Sequence, residues 1–211
     1  MSAPAYSQSS PVSRLDQHGF PHTDAKPDHW SWLTFAGRVS EFSGVGATAA
    51  LTLACRVVLE AQLHAEPVAW ITRNTSCFFP PDMATNGVDL EALVVVRVAD
   101  SRAVARAADM LLRSGGFGLL VLDLGKDEQI PLPLQTRLAA FARTHATAVL
   151  CLTQKPPTAS SVGSLVTLRG DVSRQHIAPD HFACTFSVVK DKRWGLSWTH
   201  VEVVHGPAGV C

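Results

Sequence analysis

Two periods of hydrophobic patterning run along this chain, and the change between them divides it into three parts. Residues 1–29, MSAPAYSQSSPVSRLDQHGFPHTDAKPDH, are rich in Ser, Pro and His and show almost no apolar periodicity, which predicts an arm rather than a packed layer. From Trp30 onward, short apolar runs alternate with segments of helical period. The runs at 38–42, 67–71, 92–98, 119–122 and 148–152 read as strands. A helix after residue 48 places Leu51, Cys55, Val58 and Leu59 on one face, and a second, at 101–114, has Ser101 as its N-cap and Gly115 and Gly116 as its stop. A third spaces Leu134, Leu138 and Phe141 at i, i+4 and i+7. The near-continuous β-branched run ALVVVRV at 92–98 predicts a strand covered on both faces. Arg102, Arg106, Asp109 and Arg113 read as the solvated face of the second helix, and Trp30, Trp32 and Phe35 as core or rim packing at the entry to the fold. In the last quarter, residues 164–169, 182–190 and 196–204 alternate apolar and polar positions with no helix between them.

The order β-α-β-β-α-β-α-β followed by paired strands predicts an α/β layered fold. Its central sheet is mainly parallel and twisted, flanked by helices, with an antiparallel C-terminal extension. The last two strands would form a hairpin through residues 191–195. One core domain over 30–211 is expected, with 1–29 as its flexible arm.

Composition narrows the picture. A chain of 211 residues that is 46% hydrophobic can bury one sizeable core. Its 18 Lys and Arg balance 18 Asp and Glu, which removes any global attraction to nucleic acid. A local patch stays open as a possibility, and KDKRWG, with Lys190, Lys192 and Arg193 beside Trp194, is the most concentrated basic segment. It reads either as a solvated hairpin tip or as an anion or partner contact. Cys55, Cys77, Cys151, Cys184 and Cys211 are scattered without a C-x-x-C pair, and Cys55, Cys151 and Cys184 lie inside apolar runs, as expected of small buried hydrophobes in a reducing cytosol. No context orients Cys77, or His145 with Cys151, for thiol catalysis. His18, His22 and His29 have neither a Cys partner nor helical i, i+4 spacing, so no metal site is expected. The first 30 residues hold no apolar signal core, and no stretch approaches the roughly 18 apolar residues of a membrane span, so a soluble cytoplasmic protein is expected.

The stretch GRVSEFSGVGATAALTLACRVVLE at 37–60 has the strand, glycine turn and helix of a phosphate-binding loop, but not its chemistry. A working loop needs G-x-x-x-x-G-K-[ST], with a Lys to neutralise phosphate. Here Gly44, Gly46 and Thr48 remain, and no Lys or Arg lies between Arg38 and Arg56. The strand LLVLDL places Asp123 at its carboxyl end, where an Asp can reach Mg²⁺, and the following strand ends in Thr153, Gln154 and Lys155.

Taken consecutively, these segments resemble the ATPase core of the RecA recombinase family over about residues 35–206. GRVSEFSG with LTL is similar to the strand and helix that flank its phosphate loop. GVDLEALVVV, LLRSGG and LLVLDL resemble its GVD segment, next helix and Mg²⁺-associated strand. LCLTQ resembles the strand ending in a nucleotide-sensing Gln, and SVVKDKRWG with VEVVHG the closing hairpin. Within that group, the missing loop lysine and reduced core resemble the ImuA branch, accessory proteins of damage-induced mutagenesis. Relative to the family, Thr72, Arg73 and Asn74 stand where a catalytic Glu is placed, and the two DNA-carrying loops are cut down to GKDEQIPLP and KPPTASSVGS.

The resemblance implies a non-catalytic regulator in the SOS response and translesion synthesis. No ATPase activity, no cofactor and weak or absent DNA binding are expected. The implied partners are RecA, ImuB and the associated error-prone polymerase. Lys190 and Lys192 fall where RecA has lysines that reach the neighbouring subunit's ATP, so Lys190, Lys192, Arg193 and Trp194 are the implied RecA interface. Two alternatives remain: a non-hydrolysing nucleotide switch held by Gly44, Gly46, Thr48 and Asp123, and a cell-division inhibitor like SulA.

Overall fold

The computed structural model describes residues 30–206, apart from 47, 77, 127, 128 and 197. The 1–29 arm, its three histidines, Cys77 and Cys211 lie outside the described residues. After a 3-10 turn at Trp32–Thr34, the chain runs β1 (Val39–Ser43), α1 (Ala50–Leu63), β2 (Val68–Arg73), α2 (Pro80–Thr85) and β3 (Leu93–Val98). It continues through α3 (Ser101–Ser114), β4 (Leu119–Gly125), α4 (Leu132–Thr144) and β5 (Ala148–Thr153), and ends with β6 (Leu168–Ala178), β7 (His181–Asp191) and β8 (Thr199–His205). All eight strands join one sheet in the order β3-β2-β4-β5-β1-β6-β7-β8. The first six pair in parallel, while β7 and β8 are antiparallel.

This is an α/β fold with a mostly parallel sheet flanked by helices and an antiparallel C-terminal extension, an arrangement compatible with a RecA-like core. One face packs α1 and α2 against Phe42, Trp70, Leu150 and Phe186, with Trp32 and Phe35 in the same cluster. The other packs α3 and α4 against Ile71, Leu120, Leu122, Val149 and Cys151. Burying these strands on both faces explains their continuous apolar runs.

Several local expectations are corrected. Leu51 is 46% exposed, and α1 instead buries Leu53, Ala54, Val57, Val58 and Ala61. The run at β3 is not covered on both faces: β3 pairs with β2 alone, and Val94 and Val95 are exposed. An apolar run reads the same in an edge strand as in a central one, because the missing neighbour leaves no local mark. The N-cap of α3 is Asp100, whose carboxylate accepts the Ala103 N–H at 2.8 Å, rather than Ser101. Asp109 is buried, pairing with Arg113 at 3.0 Å and with Arg137 of α4 at 2.9 Å, so that face of α3 locks the two helices together. β6 is longer than expected and turns into β7 through Asp180 in a left-handed conformation, φ 57°.

Candidate functional site

Parallel pairing gathers the positions that the sequence reads as a degenerate nucleotide site at the carboxyl edge of β1, β4 and β5. Ser43 is opposite Thr153, Asp123 opposite Leu152, and Gln154 donates its N–H to the Gly125 carbonyl at 2.9 Å. After β1 the loop turns tightly. A Cβ on Gly44 would meet the Val172 carbonyl and the Thr48 side chain, and Gly46 adopts φ 71°. The Thr48 hydroxyl accepts the Ala50 N–H at 3.2 Å, just ahead of the α1 N-cap Ala49, where a phosphate loop's hydroxyl would hold Mg²⁺.

Asp123 is equally committed. Its Oδ2 accepts the Thr72 hydroxyl at 2.9 Å and also the Ser76 hydroxyl. The Arg73 guanidinium lies over Gly125, in the space a Cβ would need, and Gly125 has φ 75°. Thr72, Arg73 and Ser76 therefore fill the edge between β2 and β4 with hydroxyls and a cation. Gln154 is exposed beside them. A divalent ion held through Oδ2 of Asp123 would displace two hydroxyl donors, and one held through either oxygen would share the edge with Arg73.

A buried ionic cluster that the sequence did not single out lies behind this edge. Glu41 is fully buried on β1. It accepts the Thr153 hydroxyl at 2.8 Å and the Val162 N–H at 2.9 Å, with Lys155 Nζ at 3.5 Å and Arg169 Nε at 3.9 Å. Arg169 also donates to Ser43 Oγ at 3.0 Å, to the Pro156 carbonyl at 2.8 Å and to the Ala159 carbonyl, while Lys155 donates to the Ser160 carbonyl at 3.3 Å. The loop of residues 154–167 is thus tied to the sheet from beneath. Gln135 of α4 holds its outer side through the Ser164 hydroxyl and the Leu165 N–H, each at 3.3 Å.

The basic hairpin is anchored rather than loosely solvated. Asp191, at the end of β7, accepts from Arg38 at 3.2 Å, from the Arg193 N–H at 2.8 Å and from Trp198 Nε1 at 3.0 Å. Burial lowers the Arg38 pKa to about 10 against the opposing pull of Asp191, and the Arg38 guanidinium lies 4.9 Å from the Trp194 ring centroid. Asp191 points inward; Lys192 and Arg193 are exposed, and Lys190 and Trp194 are half-buried. Lys192 Nζ donates to the Ser164 carbonyl at 3.3 Å. Burial, and next the adjacent Lys192, lower the Lys190 ammonium from its ordinary value, so this pair of cations stands to gain from an anion. Because β7 runs antiparallel, its end lies at the amino end of the parallel strands, away from the edge carrying Gly44 and Asp123.

Cys151 and His145 belong to different parts of the fold. Cys151 is fully buried beside Glu41, and burial raises its thiol above the ordinary range. His145 stacks on Phe141 after α4. Burial also pushes the Cys55 thiol up to about 12.

Comparison with known proteins adds one relationship. A RecA from a Nocardioides species is 38% identical to the chain over 88 residues, which make up 41% of this chain and 25% of that RecA. The relationship is RecA-like. The matched part spans about a quarter of the length of that relative. No protein-family model matches the chain. No helix among the described residues is long and apolar enough to cross a membrane.

Proposed function

We propose that this chain is a non-catalytic RecA-like regulator that docks on one end of a RecA filament and restrains its growth. The observation that carries the reading is the opposed placement of two edges. One end of the sheet has hydroxyls and Arg73 where nucleotide chemistry would be. The other presents Lys190 and Lys192 on a hairpin braced by Asp191 and Arg38. The lysine pair would meet the nucleotide phosphates of a terminal RecA subunit, and the opposite edge would give the next subunit no nucleotide to close on. The exposed β3 edge supplies a second surface, with unpaired backbone available for strand addition.

In this reading the chain has no ATPase activity. Loss of the phosphate clamp and loss of a base to orient water each cost orders of magnitude in rate. The loop of residues 154–167, being fastened to the sheet and lacking an aromatic residue, offers single-stranded DNA no stacking platform. The wider role is cytoplasmic, in the SOS response and translesion synthesis, with ImuB and its error-prone polymerase as further partners, as in ImuA-like proteins. Co-sedimentation with RecA filaments assembled on single-stranded DNA with a non-hydrolysable ATP analogue tests the contact. The chain should pellet with filaments, and Lys190→Ala with Lys192→Ala should release it. Pelleting unchanged in the double variant would refute the lysine contact.

A further inference from the structure

The geometry points to a docking groove for a cationic, aliphatic peptide segment of a partner protein, at the amino ends of β2 and β3. A groove of about 460 Å³ opens there between the end of α1 and the segment leading into β3. Leu59, Pro67 and Ala92 give it an apolar floor, and Glu66 and Asp89 stand among its lining residues. Leu63 is 76% exposed at its margin, and Leu90, 39% exposed, is next to Asp89.

The walls are fixed before anything binds. The Gln62 side-chain amide donates to the Asp89 carbonyl at 2.8 Å and accepts the Asp89 N–H at 3.0 Å, joining α1 to the opposite wall. Gly87, at φ 87°, lets that wall turn beside Leu59, and Ala65 holds the left-handed conformation, φ 58°, that ends the helix. A preformed groove spares a ligand the cost of ordering it.

Charge selects the occupant. From residue 56 to 97 the chain carries Glu60, Glu66, Asp82, Asp89 and Glu91 against Arg56, Arg73 and Arg97, and Arg56 is paired with Glu202. Arg73 ends β2 and Arg97 lies opposite Thr72 on β3, so both stand roughly 15–20 Å along their strands from Pro67 and Ala92 at the groove. Among the described residues, Glu66, Asp89 and Glu91 form no ion pair. The α1 C-terminus adds the negative end of a helix dipole beside them. Nucleic acid and anionic membrane are repelled by such a rim, whereas a Lys or Arg flanking a Leu or Ile satisfies both rim and floor. The groove lies five strand spacings, roughly 24 Å, across the sheet from β7, so it and the basic hairpin can be occupied together.

The test uses the full chain, isotopically labelled, and a fluorescein-labelled 12-residue peptide alternating Leu with Arg. Two control peptides replace Arg with Glu or Leu with Ser. The Leu–Arg peptide should shift the amide resonances of Leu63, Ala65, Gly87 and Ala92, and both controls should bind at least about tenfold more weakly by anisotropy. Glu66→Lys with Asp89→Lys should weaken it by about tenfold, as should Leu63→Ser at an exposed position that bears little on folding. Circular dichroism melts confirm that each variant folds. Absence of shifts at those four residues at millimolar peptide, or equal affinity for the charge-reversed variant, would overturn the proposal.

Discussion

At the residue scale, the most consequential side chain is Glu41, the carboxylate that balances Lys155 and Arg169 inside the protein. Removing one member of a buried ionic group strands the others, at a cost of about 3–5 kcal/mol. Glu41→Gln should therefore lower the urea midpoint sharply, and adding Lys155→Met should recover part of the loss. A midpoint within error of wild type would show that the cluster is not a net stabiliser. Sequence alone did not reveal it: Val162, whose N–H Glu41 binds, lies 121 residues away, and a carboxylate in a strand has no local sign of burial.

Glu202 makes a pH-dependent contribution. Burial pushes its carboxyl up, but His200 and Arg56 outweigh burial and hold it below its ordinary value. A depressed folded-state value means that the stabilisation is present above the unfolded value of about 4.3 and is lost as pH falls through the folded one. The carboxylate is partly exposed, so screening limits the effect to under about 1 kcal/mol. Melting temperatures of wild type and Glu202→Gln should differ at pH 7 and converge below about pH 4; a gap that persists there would contradict this assignment.

Among the elements, the loop of residues 154–167 links structure to function most directly. Arg169 fastens it through the Pro156 and Ala159 carbonyls. Lysine, with a single compact ammonium, cannot reproduce that fork. Amides over residues 158–165 should exchange slowly in wild type and markedly faster in Arg169→Lys, measured by hydrogen exchange with mass spectrometry; unchanged protection would mean that Glu41, Lys155 and Gln135 hold the loop without Arg169. The sequence marked this segment as short and poor in cations but not as fastened down, since its anchors come from β1, β6 and α4. Strand and helix order was legible because burial on both faces writes continuous apolar runs. Edge position was not, as Val94 and Val95 of β3 show. The strand at 182–190 was legible and is β7, but the distal half of β6 was missed because it leaves the core, so apolar alternation fades where burial ends.

For the whole molecule, a net charge of zero conceals a division of labour. The acidic groove, the basic hairpin and the edge filled by Thr72, Arg73 and Ser76 occupy separate parts of one sheet. The absence of any Lys or Arg between Arg38 and Arg56 could be read from the sequence. The replacement side chains engaging Asp123 could not, because Thr72 and Ser76 reach it only through the pairing of β2 with β4. Calorimetric titration with ATP and Mg²⁺ should give no heat of binding at millimolar nucleotide; saturable binding lost in Asp123→Ala would favour a nucleotide switch instead.

Filament docking is tested most directly by RecA-promoted strand exchange, with this protein titrated well below the concentration of RecA. End docking requires inhibition at a small fraction of one copy per RecA, relieved by Lys190→Ala with Lys192→Ala at the same dose. Inhibition appearing only near equimolar protein, or persisting in the double variant, would contradict it.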